Sequence, residues 1–187
     1  MDTRDNELIL GYIEGDTEAL TEIVARNIGL VYRYALRMTK DIEQAEDITQ
    51  ETFVKLWRNI HKFDTEKNFR TWILGIAHNT AIDFLRKRKI SVFSDFDTKD
   101  ERNAITDTLA DIAPLAPEIF EKEETKKLLD SALEQISPMH HEVLALYYEE
   151  DLTFNEIGEI LNKPLNTVKS QYRRALEELR KILERNL

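Results

Sequence analysis

The chain contains no cysteine. That excludes disulfides, thiolate metal sites and cysteine nucleophiles, and it fits a reducing cytoplasm. Glycine and proline are scarce, 5 and 4 among 187 residues, too few turn formers for an all-β protein of this size. No stretch approaches the roughly 20 apolar residues of a membrane-spanning helix, so no membrane insertion is expected. The opening residues MDTRDNELIL have no long apolar run and predict no signal peptide. A Gly-rich phosphate loop and an HExxH pattern are both missing. His78 and Asp83 are five apart and share a helical face poorly, whereas His140 and His141 are adjacent and point apart. No catalytic constellation, cofactor or metal is therefore expected.

Leu, Ile, Glu, Lys, Arg and Ala dominate, a helix-forming set. With 42% hydrophobic residues the composition supports a packed core. The expectation is an all-α protein. Its net charge is −10, which taken alone argues against a protein that coats DNA unaided. The charge is uneven. Residues 1–90 hold 14 basic against 15 acidic side chains, residues 91–120 hold 2 against 7, and residues 121–187 hold 10 against 14. The middle stretch, with Pro114 and Pro117 near its end, reads as an acidic, largely extended linker between two small helical domains.

In the last third, Thr153 followed by Glu156 is a capping box, so a helix should start there. Phe154, Ile157, Ile160 and Leu161 give it one apolar face. Gly158 inside it costs about 1 kcal/mol against Ala, and a close neighbouring helix would explain it. Asn162 can end this helix in the left-handed conformation, and Pro164 suits the first turn of the next. That second helix has Leu165, Val168, Tyr172, Leu176, Leu179 and Leu183 on one side. Its other side is centred on Ser170 and Arg174, flanked by Asn166, Thr167 and Arg173, with Lys169 nearby. This is the layout of a helix-turn-helix whose second helix enters a major groove. Arg can read guanine bidentately, and Asn, Ser and Thr suit base edges or phosphates. A merely solvated polar face is the plainer alternative. Two supporting helices, split at Ser137-Pro138, precede it.

In the first half, Asp41 is the expected cap of a helix, with Gln44 at its third position. Ala45, Ile48, Thr52, Leu56 and Ile60 should face inward. Glu43, Glu46, Asp47 and Gln50 lie opposite, together with Val54 and Trp57. Acids beside apolar groups suggest a docking surface for a basic partner; alternatively Trp57 covers a neighbouring helix. The next helix should bury Phe69, Trp72, Ile73, Ile76, Thr80 and Phe84, leaving His78, Asn79 and Asp83 off the stripe. It ends in Arg86, Lys87, Arg88 and Lys89. These cations suit a helix C-terminus, and four in a row point to phosphate contact. The loop HKFDTEKNF, from His61 to Phe69, sets Phe63 and Phe69 around polar groups such as Asn68. It could hold an unstacked base, although Phe69 also reads as core.

Three segments in order, AEDITQETFVKLWRNIHKFD, FRTWILGIAHNTAIDFLRKRK and LTFNEIGEILNKPLNTVKSQYRRALEELRKIL, resemble a bacterial RNA polymerase sigma factor of the extracytoplasmic-function (ECF) subfamily. The resemblance covers about residues 5–90 and 121–185. It implies a first domain, 1–90, that binds the clamp helices of core RNA polymerase and reads the melted minus-ten element. A second domain, 121–187, would bind the minus-thirty-five duplex and touch the polymerase flap. By position, Asp47, Gln50 and Glu51 fall where the family binds polymerase, beside Glu43 and Val54. Asn79, Asp83 and the loop from Phe63 through Asn68 to Phe69 fall where it reads the minus-ten element, with Arg86 and Lys87 as phosphate contacts. Asn166, Thr167, Lys169, Ser170, Arg173 and Arg174 fall on the recognition helix. The implied partners are core polymerase, promoter DNA and an anti-sigma protein. The chain departs from the family where Asn166 replaces a usual Gly, Gln171 a common basic residue and His141 a common Arg. A free-standing helix-turn-helix regulator would explain residues 121–187 but leave the first 90 without a role, and an enzyme built on His78 would leave both helical domains unexplained.

Overall fold

The structure, a computed structural model, describes residues 3–92 and 123–186, with side chains from 4 to 87 and from 128 to 185. Among the described residues every regular element is a helix. The helices are α1 (Thr3–Ile13), α2 (Thr17–Thr39), α3 (Ile42–Asn59), α4 (Phe69–Val92), α5 (Glu123–Gln135), α6 (Pro138–Tyr148), α7 (Phe154–Leu161) and α8 (Leu165–Asn186), with a short 3-10 turn at Ile60–Lys62. They fall into two compact units. One is built from α1–α4, the other from α5, α6, α8 and the first part of α7. The acidic linker expected at 91–120 lies outside the described residues except at its start, where Ser91 and Val92 continue α4. No Gly or Pro follows the basic run to stop that helix, so it passes the boundary set from composition.

In the first unit α2 packs on α1, α3 and α4, and α3 packs on α4. Asp16 caps α2 by accepting from the Glu18 N–H at 3.0 Å. Lys40 ends it in the left-handed region, φ 53°, donating its N–H to the Leu36 carbonyl at 2.8 Å. The cap expected at Asp41 is present and reciprocal. Its Oδ1 accepts from the Gln44 N–H at 3.1 Å, and Gln44 Nε2 donates to its Oδ2 at 2.6 Å. Ala45, Ile48, Thr52, Leu56 and Ile60 are all fully buried, as the periodicity requires. Ala35, Ala45, Ile48 and Ala81 form one cluster, small side chains that let α2, α3 and α4 approach closely. The buried side of α4 is broader than the expected stripe. Leu74, Ala77, His78 and Ala81 are buried along with Phe69, Ile73 and Thr80, because both α2 and α3 lie against it. His78 is thereby an interior residue, its Nδ1 hydrogen-bonded to the Tyr34 hydroxyl at 2.9 Å.

In the second unit α8 packs against α5 and α6 over Ala132, Ile136, Leu144, Ala175 and Leu179. The helix break at Ser137-Pro138 is as expected. Ser137 Oγ accepts from the His140 N–H at 3.3 Å, and Pro138 occupies the first turn, where no N–H is needed. The buried face of α8 is rotated from the apolar stripe read in the sequence, toward Gln171 and Ala175. Gln171 is buried and Leu165 is 37% exposed. The reason is a polar interior partner for Gln171, described below.

Candidate polymerase and nucleic-acid interfaces

Glu43, Asp47, Gln50, Glu51 and Val54 are all exposed, and at 100° per residue they occupy one face of α3, opposite its buried stripe. Trp57 joins them and is 54% exposed. Its indole Nε1 donates to the Tyr12 hydroxyl of α1 at 2.9 Å, so the ring rests on a neighbour yet stays on the surface. Tyr12 had no sequence signal, since 45 positions separate the two residues. Lys55, beside this face, reaches inward instead and donates to Thr80 Oγ1 at 3.1 Å.

Asn79, Asp83, Arg86 and Lys87 share one face of α4. Asn79, Arg86 and Lys87 are exposed; Asp83 is half-buried and pairs with Arg86 at 2.9 Å. The side chains of Arg88 and Lys89 lie outside the described residues. Asn68 caps α4, its Oδ1 accepting from the Arg70 N–H at 2.9 Å. Phe63 differs from the expectation of a base-receiving aromatic. It is 7% exposed and packs against Phe69 and Trp72, with ring centroids 5.6 and 4.9 Å away. The physical reason is the loop's own small core, which Phe63 fills. The loop is also held by Asn6 of α1, whose Nδ2 donates to the Thr65 carbonyl at 2.7 Å.

The helix-turn-helix forms as its local signals require. Thr153 Oγ1 accepts from the Glu156 N–H at 3.3 Å, and Glu156 Oε2 accepts from the Thr153 N–H at 2.9 Å. Asn162 takes φ 53°. Pro164 stands immediately before α8, its carbonyl accepting from Thr167 and Val168 at 2.9 and 3.1 Å. Gly158 is explained by the turn rather than by a crossing helix. A Cβ there would lie 2.8 Å from the Lys163 carbonyl oxygen, a contact no side chain tolerates. Asn166, Thr167 and Lys169 are exposed on α8, and Ser170, Arg173 and Arg174 are half-buried. Arg173 Nε lies 3.9 Å from Glu177, one turn on.

Beneath the recognition helix lies a polar network that periodicity did not reveal. Lys163 Nζ donates to Gln171 Oε1 at 3.2 Å, and Gln171 Nε2 donates to Met139 Sδ at 3.1 Å. Burial pushes the Lys163 pKa down, and the Glu142 carboxylate opposes part of that shift. The replacement of a basic residue by Gln171 was the one available clue, because the cation is supplied from the turn instead. Tyr147, Tyr148, Phe154 and Tyr172 form an aromatic cluster that ties α6 and α7 to α8, closed by a 2.7 Å bond between the Tyr148 and Tyr172 hydroxyls. Burial, then that bond, push the Tyr172 phenol up. His140 pairs with Glu178 of α8 through Nδ1. Among the described residues, no group of three His, Cys, Asp or Glu is placed to hold a metal, and no helix is long and apolar enough to cross a membrane.

The family model for sigma-70 region 2 matches residues 23–90, and that for sigma-70 region 4 matches residues 132–181. The chain is 33% identical over 172 residues to the ECF RNA polymerase sigma factor SigW of Bacillus subtilis, covering 91% of each chain. It is 29% identical over 170 residues to SigM of the same organism, covering 90% of this chain and 97% of that one. Two solved structures share the fold. One is the sigma factor RpoE in complex with the anti-sigma factor NepR from Bartonella quintana, with a TM-score of 0.64 at 21% identity over 88% of this chain and 96% of that one. The other is CnrH in complex with the cytosolic domain of CnrY, with a TM-score of 0.66 at 20% identity over 98% of this chain and 99% of that one. Matched by both region models in order and by a relative one-third identical along nearly its whole length, the chain belongs to the ECF family of RNA polymerase sigma factors.

Proposed function

We propose that this sigma factor divides promoter recognition between its two units. As a family member it directs core polymerase to promoters for transcription initiation. The acidic face of α3, with Glu43, Asp47, Gln50, Glu51 and Val54, docks on the clamp helices of core polymerase. The face of α4 that carries Asn79, Asp83, Arg86 and Lys87 reads the melted minus-ten element, and the Phe63–Asn68 loop flanks it. Phe63 shapes that loop from inside, and Asn68 fixes where α4 begins. On α8, Asn166, Thr167, Lys169, Ser170, Arg173 and Arg174 enter the minus-thirty-five duplex, and the same unit meets the flap. Domains 1–90 and 121–187 thus act on separate promoter elements, with the 91–120 segment as the acidic connection between them.

The observation that carries this reading is the α3 face. Five exposed residues stand opposite a stripe that is buried without exception, so their polarity is not needed for folding and is free to serve a partner. The protein works in the cytoplasm, where polymerase and promoter are, and performs no chemistry itself. Anti-sigma partners in the solved relatives support an anti-sigma protein for this chain as well. Transcription in vitro tests the reading. Core polymerase with a pool of promoter-length fragments should initiate at a shared two-element sequence only when the chain is added. Initiation that does not depend on the chain would refute it.

A further inference from the structure

Gly75 stands in the interior of α4, and nothing in the protein requires it there. A Cβ on Gly75 would meet no atom within 4 Å, whereas one on Gly158 would strike the Lys163 carbonyl at 2.8 Å, one on Gly29 would touch Arg33 at 3.4 Å and one on Gly11 would touch Ala19 at 3.9 Å. Gly15 is explained by its turn, with φ 110°. A glycine in a helix interior is destabilising against alanine, so Gly75 weakens α4 with no packing reason in return. Its position is not arbitrary. Trp72, Gly75, Asn79, Ile82 and Arg86 follow one another at steps of three and four residues, along the face that carries Asp83. Trp72 is half-buried at the edge of the Phe63–Phe69 cluster, Asn79 is exposed, and Gly75 leaves bare helix backbone between them.

We infer that Gly75 is a clearance position, where one unpaired nucleotide of the melted promoter strand lies across the bare turn of α4 between Trp72 and Asn79. The bare backbone lets the strand approach more closely than any side chain would permit, with the Trp72 ring edge on one side of the base and the Asn79 amide on the other. This rests on the reading of α4 as the minus-ten surface.

The test uses holoenzyme, assembled from core polymerase and full-length chain, and a single-stranded oligonucleotide that wild-type holoenzyme enriches from a randomised pool. Gly75→Ala should raise the thermal unfolding midpoint by a few degrees, because a helix former enters open space. The same variant should weaken oligonucleotide binding, and Gly75→Leu should weaken it further, by about tenfold or more. Affinity for core should not change in either. Asn79→Ala serves as the companion. If it weakens the oligonucleotide while both Gly75 variants bind as wild type, the clearance role is wrong and the minus-ten reading stands. If Asn79→Ala and the Gly75 variants are all neutral, the reading of α4 fails and the inference falls with it. Loss of stability in Gly75→Ala would equally overturn it, because the turn would then not be open.

Discussion

Arg174 and Lys169 both stand on the recognition helix, and removing each should do something different. A base-contacting Arg provides about 1–3 kcal/mol of discrimination, whereas a phosphate-contacting Lys provides sequence-independent affinity. Arg174→Ala should relax preference at one upstream position, and Lys169→Ala should weaken every sequence evenly. Position-by-position binding profiles of the holoenzymes check this, and identical profiles for both variants would contradict it. On α3, Asp47→Lys with Gln50→Ala should lower core affinity by about tenfold or more, since a like charge now meets a basic partner. Both side chains are exposed, so the helical circular dichroism should be unchanged. A double variant that competes for core as well as wild type would remove α3 from the interface.

At the scale of the element, the turn between α7 and α8 is the most constrained piece of backbone. Gly158→Ala gains about 1 kcal/mol of helix propensity but forces a Cβ against the Lys163 carbonyl, a backbone atom that cannot swing aside. The expected net loss is about 1 kcal/mol, read as roughly fivefold faster hydrogen exchange at the α7 and α8 amides. Slower or equal exchange would show that the turn gives way. Elements of this kind were legible because their causes are local. The Asp41 and Thr153 caps, the Ser137-Pro138 break and the left-handed Asn162 each depend on residues within a few positions. The buried stripe of α3 was legible for the same reason. What was not legible depends on which helices are neighbours. His78 lay off the apolar stripe of α4, yet it is interior because Tyr34 of α2 meets it. Gln171 is buried because Lys163 and Met139 complete its bonding. Phe63 turned inward because Phe69 and Trp72 form a cluster that only the closed loop brings together.

For the whole molecule the governing quantity is charge. At −10 net the chain lacks the excess of cations that gives DNA-binding proteins most of their sequence-independent affinity. The cations it has are placed locally, at Arg86 and Lys87 on α4 and at Lys169, Arg173 and Arg174 on α8. Such a chain can specify a promoter, but it needs core polymerase to supply the basic channel and to hold both units on the DNA. The most direct measurement is a gel-shift titration of one promoter duplex with the full-length chain, with and without core polymerase, near physiological salt. The prediction is little specific binding by the chain alone and promoter-specific binding at least about 100-fold tighter once core is added. Tight, specific binding by the chain without core would contradict it.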